Sequence, residues 1–81
     1  MDRYTLSIEG RARFKRMRTS IDAGVETGIA RTEGYFILEY LYEHGSATIT
    51  DIENHTGLSW SKVTGELSTF IHHGLVQGVS Q

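Results

Sequence analysis

Apolar positions along this chain first alternate, then cycle with a helical period, and each change of rhythm marks an element. In residues 2–7, Tyr4 and Leu6 alternate against polar neighbours, which predicts a short strand with one buried face. Phe14, Met17, Ile21 and Val25 then recur at helical spacing. They predict a helix from Ile8 to Ala23, capped by Ser7, with Glu9 in the first turn to meet the positive end of the helix dipole. Gly10 is a weak spot, tolerated this close to a helix start. A hairpin turning at Glu9-Gly10 competes, but the apolar period runs well past that turn and favours the helix. Residues 24–32 hold two glycines and no period, and read as a connector. A second helix opens at Thr32 or Glu33 and runs to about Glu43. Its inner stripe is Ile37, Leu38 and Leu41, with Phe36 and Tyr40 on another. A helix apolar on two sides is packed on two sides. One side is expected to meet the helices of residues 50–74, and the other the N-terminal helix or a second subunit.

The rest of the pattern is denser. Ser46 to Ile49 is a short β-prone link. Thr50 reads as an N-cap, with Glu53 three residues later completing a capping box. Gly57 stops that helix, Leu58 plugs the turn, and Ser59 caps a longer helix. The inner stripe of the longer helix is expected to be Val63, Leu67, Phe70 and Ile71, and Gly74 closes it. Short helix, glycine turn and longer helix make a helix-turn-helix. Residues 75–80 form a strand that needs a partner, and residues 2–7 are the candidate.

Helix, short strand, helix, turn, helix, strand over residues 33–81 resembles the winged helix-turn-helix of MarR-like and ArsR-like regulators. Phe36 to Leu41, Thr48 to Ile52, Thr56-Gly57-Leu58-Ser59, Val63 to Leu67 and Gly74-Leu75-Val76 carry the resemblance. It implies a mostly α fold with a small antiparallel β wing, and one winged-helix domain over residues 1–81. Residues 1–32 would supply strand, basic helix and connector, and residues 33–81 the helix-turn-helix core and final strand. The order looks permuted. Tyr4 to Arg11 resembles the segment that ordinarily comes after the wing, so residues 3–7 would pair with residues 75–80 and the wing tip would be two chain ends. The function implied is a DNA-binding transcriptional regulator. It would read the major groove of double-stranded DNA with the helix 59–73, as a homodimer. The alternative is a winged-helix protein–protein interaction module with little or no DNA binding.

Charge changes this picture. Net charge is −2, yet residues 1–32 carry +3 and residues 33–81 carry −5. The segment shaped like a DNA reader is therefore acidic, with Lys62 as its one base. Phosphate contacts supply most non-specific affinity, so cations are expected from Arg11, Arg13, Lys15, Arg16 and Arg18. The other readings of that cluster are a solvated face or a site for an acidic partner. At 81 residues the chain has room for one thin-cored domain that a dimer interface would help stabilise. There is no cysteine, no apolar run long enough for a membrane and no apolar leader, so a cytoplasmic protein is expected.

Candidate chemistry centres on the second helix of the motif. Its outward positions are Ser59, Ser61, Lys62, Gly65, Ser68, Thr69 and His72. Hydroxyls there can bond phosphates or base edges, and Lys62 guanine or phosphate. Gly65 permits close approach by DNA or protein, or is merely tolerated at about 1 kcal/mol relative to Ala. Trp60 is expected to pack across the turn, with a wedge on a sugar or a protein-interface anchor as functional alternatives. His44, His55, His72 and His73 lack metal-ligand spacing, so neither metal nor cofactor is expected. No catalytic constellation is recognisable either, and an enzyme is not expected.

Overall fold

The computed structural model describes residues 2–23 and 33–79. The connector 24–32 and the Ile21 and Val25 end of the first apolar stripe lie outside the described residues and side chains. In chain order the elements are β1 (Arg3–Leu6), α1 (Ile8–Ala23), α2 (Glu33–His44), β2 (Ser46–Ala47), α3 (Ile49–Thr56), α4 (Trp60–His72) and β3 (Val76–Val79). The fold is mostly helical with a small antiparallel sheet, as a winged helix-turn-helix requires.

The sheet runs β2-β1-β3, so the N-terminal strand lies in its middle. β1 pairs with β3 through Arg3↔Val79, Tyr4↔Gly78, Thr5↔Gln77 and Leu6↔Val76, which is the wing pairing anticipated from the pattern. Its other edge pairs with β2 through Tyr4↔Ala47 and Thr5↔Ser46, which the pattern did not indicate. Side chains reinforce that edge. The Arg3 guanidinium donates to Ser46 Oγ and to the Ser46 carbonyl, both at 3.1 Å, and Thr5 Oγ1 donates to the Gly45 carbonyl at 2.7 Å.

Ser7 then turns strand into helix. Its Oγ accepts the Gly10 N–H at 2.9 Å and donates to the Gly74 carbonyl at 2.6 Å. Its own N–H reaches the Leu75 carbonyl at 2.9 Å. Gly10 is buried against that carbonyl, and a Cβ on it would collide with Leu75. The expected weak spot is therefore a point of required close approach.

The core joins all layers: Leu6 from β1, Phe14 from α1, Ile37, Leu38 and Leu41 from α2, Ala47, Ile52 from α3, Val63 and Leu67 from α4, and Val76 from β3. Phe14 sits between Tyr35 and Tyr42 of α2, with ring centroids 5.3 and 5.2 Å apart. The two apolar sides of α2 meet α1 and α3, as a doubly striped helix should.

The helix-turn-helix starts earlier than its sequence suggests. The N-cap of α3 is Thr48, not Thr50. Thr48 Oγ1 accepts the Asp51 N–H, and Asp51 Oδ2 accepts the Thr48 N–H, both at 3.1 Å. An aspartate at the third helical position closes the box as well as a glutamate, and this draws Ile49 into the helix. The Thr48 backbone bond, its hydroxyl and then the charge of Arg3 hold the Asp51 carboxyl below its usual value. At the other end, Gly57 takes the left-handed conformation (φ 77°) and its N–H reaches the Glu53 carbonyl at 2.8 Å. The turn is pinned by the Leu58 N–H to Thr56 Oγ1 at 3.2 Å.

Candidate nucleic-acid interface

Ser59 caps α4, its Oγ accepting the Lys62 N–H at 3.2 Å. The far end closes at Gly74 (φ 76°), with the Leu75 N–H on the Phe70 carbonyl at 2.8 Å and the Gly74 N–H on the Ile71 carbonyl at 3.0 Å. That paired closure is a Schellman motif, and it leads the chain directly into β3. Val63 and Leu67 are buried and Phe70 is half-buried. Ile71, expected inside, is 44% exposed. Helical geometry explains it: the buried residues recur at i, i+4 and i+7 from Val63, which leaves Ile71 on the neighbouring flank.

Trp60 departs from expectation in the same way. It does not pack across the turn but is 61% exposed. Leu58 occupies the turn against the core and Val63 fills the space beneath, so an indole in the first turn has no interior place to enter.

Ser59, Ser61, Lys62, Gly65, Ser68 and Thr69 are all exposed, as anticipated. Ser61, Gly65 and Ser68 share one face of α4 at i, i+4 and i+7. A Cβ on Gly65 would meet nothing within 4 Å, so nothing inside the molecule requires glycine there. Thr64, which sequence reasoning passed over, borders this face. Its hydroxyl donates to the Ser61 carbonyl at 3.2 Å, and the Thr69 hydroxyl donates to the Gly65 carbonyl at 3.1 Å.

Lys62 is not a free cation. Its Nζ lies 2.9 Å from Glu33 Oε1 on α2 and 3.6 Å from Glu66 Oε2 one turn along. The hydrogen bond to Glu33, then that carboxylate's charge, raises the ammonium's pKa above its usual value. The i,i+4 spacing to Glu66 was readable in the sequence, whereas the approach of Glu33 depends on how α2 packs against α4.

The basic residues of α1 are not gathered into one patch. Arg11, Arg13, Lys15 and Arg16 are exposed and Arg18 is half-buried. Arg11 and Lys15 flank the depression beside Ile8 and Tyr42, with the Arg11 guanidinium 5.1 Å from the Tyr42 ring centre. Arg13 and Arg16 border a second depression lined by Phe14, Met17, Leu38 and Leu75. Met17 and Leu38 also line the depression that holds Lys62, Glu66 and Phe70. The Arg13 and Arg16 side of α1 therefore approaches the charged flank of α4 across α2, whereas Arg11 and Lys15 lie along the other trough.

Of the histidines, His44 and His55 come together around Tyr40, whose ring centre is 4.3 Å from one and 4.5 Å from the other. His72 and His73 end α4. No helix among the described residues is long and apolar enough to cross a membrane.

Residues 35–80, more than half of the chain, match the IclR helix-turn-helix domain. The type matched is the IclR one, not the MarR-like or ArsR-like types that the pattern resembles. Neither the curated proteins nor the solved structures contain a match to this chain. A helix-turn-helix of this kind indicates a regulator rather than an enzyme. Family match and architecture lead to one conclusion: the chain belongs to the IclR helix-turn-helix domain family, the winged DNA-binding domain of transcriptional regulators.

Proposed function

We propose that residues 1–81 act as one winged-helix unit that reads the major groove of double-stranded DNA with α4, as a homodimer. The observation that carries this reading is the exposed face of α4: uncharged, built from Ser61, Gly65 and Ser68, and open at Gly65 where nothing intramolecular calls for glycine. Such a face admits close backbone approach and offers hydroxyls to base edges. Affinity comes from elsewhere. With Lys62 held by Glu33 and Glu66, phosphate contacts fall to Arg13 and Arg16, beside the charged flank of α4, and to Arg11, Lys15 and Arg18. A dimer doubles these contacts.

Titration of labelled duplex at two salt concentrations tests the reading. The expected result is steep salt dependence, with log–log slope falling by about 0.9 for each phosphate contact removed. The Arg13→Ala and Arg16→Ala variants should lower it, and Lys62→Ala should change it less. Absence of duplex binding at low salt overturns the reading. It would favour a protein-binding module, for which the exposure of Trp60 is the specific observation.

A further inference from the structure

The solvent-facing surface of α4 is divided by chemistry into three strips. One flank carries Lys62 and Glu66, ion-paired to each other. The middle carries Ser61, Gly65 and Ser68, with His72 at its C-terminal end. The other flank carries Trp60, Thr64 and Ile71, at i, i+4 and i+11 along the helix. Trp60 and Ile71 are 61% and 44% exposed, although the inner face of α4 is already complete.

The usual base-selecting groups are either missing from this surface or ion-paired within it. Arginine or lysine selects guanine and asparagine or glutamine adenine, each through paired hydrogen bonds, and glutamate or aspartate accepts from cytosine. The helix WSKVTGELSTFIH has no arginine, asparagine, glutamine or aspartate, its lysine is bound to two carboxylates, and its one glutamate, Glu66, is one of those two. Its threonines donate their hydroxyl protons to the helix's own carbonyls. Ser61 and Ser68 retain free hydroxyls, but a single hydroxyl bonds to any base. Apart from His72 in the last turn, the group left with discriminating power is the apolar flank. In the major groove its complement is the C5-methyl that thymine carries and cytosine lacks.

The geometry points to a specificity device: Trp60 and Thr64, with Ile71 further along, select duplexes by apolar contact with C5-methyl groups in the major groove. This rests on α4 being the DNA reader. Thymine presents that methyl in ordinary DNA, and 5-methylcytosine presents the same group.

The test begins with selection of bound duplexes from a random pool using the full chain. The selected duplex is then remade with deoxyuridine at each thymine, which keeps the pairing and removes only the methyl. Affinity should fall about fourfold for each contacted methyl, from ~0.8 kcal/mol per buried carbon. Trp60→Ala, a change at an exposed position, should narrow the difference between thymine and uracil duplexes most, and Thr64→Ser should narrow it less. Placing 5-methylcytosine at contacted positions separates the sources. Affinity matching thymine assigns the methyl alone, and affinity above cytosine but below thymine assigns the whole T·A pair. Equal wild-type affinity for thymine and uracil duplexes overturns methyl reading while leaving DNA binding intact. Failure to enrich any duplex overturns both.

Discussion

At Gly65 a methyl group would meet only solvent, so the residue weakens α4 for no internal reason. Gly65→Ala should raise stability by about 0.5–1 kcal/mol, read as a higher urea midpoint. The same change should lower duplex affinity if the helix backbone lies close to DNA. A variant that is more stable and binds equally well would remove Gly65 from the interface. Gly10 predicts the reverse. Gly10→Ala drives a Cβ into the Leu75 carbonyl and should cost about 1–3 kcal/mol. Both glycines are visible in the sequence, and nothing local distinguishes them. One is fixed by a contact 65 positions away along the chain and the other by an absence of contacts. The exposure of Trp60 was equally hidden, because it depends on Leu58 and Val63 having filled the space first.

The start of α3 is the sharpest case among the elements. Two threonines two residues apart each offer an N-cap, and the reciprocal bonds of Thr48 and Asp51 decide between them. Thr48→Ala should cost about 1 kcal/mol or more, while Thr50→Ala should be nearly neutral, as chemical denaturation can compare. The Asp51 carboxyl has a folded pKa below its ordinary 3.8. It therefore stabilises the fold above that ordinary value and loses its contribution as pH falls through the lower, folded value. Asp51→Asn should be less stable than wild type near neutrality, with the gap closing below about pH 4. A gap that persists at low pH would show that the carboxylate's charge is not what the cap uses. Helix identities, the glycine stops and the Ser59 cap were legible because each is a local signal. The β2 pairing was not, since two residues carry too little pattern to announce a partner more than 40 positions away.

For the whole molecule, the central position of β1 makes the N-terminus structural. Removing residues 1–7 takes out the strand that both β2 and β3 pair with, together with Leu6 from the core and the Ser7 cap of α1. The shortened chain should lose its cooperative thermal transition, and an unchanged melting temperature would contradict the topology. Under the proposed function, the chain's charge asymmetry becomes a division of labour: α4 supplies shape and apolar selectivity, and α1 supplies cations. The sequence showed where the charges were. It did not show that Lys62 is neutralised by Glu33, because that pair forms only once α2 and α4 pack.

Trp60 makes the proposed role of α4 directly measurable. It is the only tryptophan in the chain and is 61% exposed at the start of α4. Its fluorescence, followed with a neutral quencher during titration with a selected duplex, reports on that helix alone. With α4 as the reader, DNA should shield Trp60 from the quencher with the same midpoint and salt dependence as binding itself. A duplex that binds while Trp60 remains fully quenchable would contradict α4 as the reader.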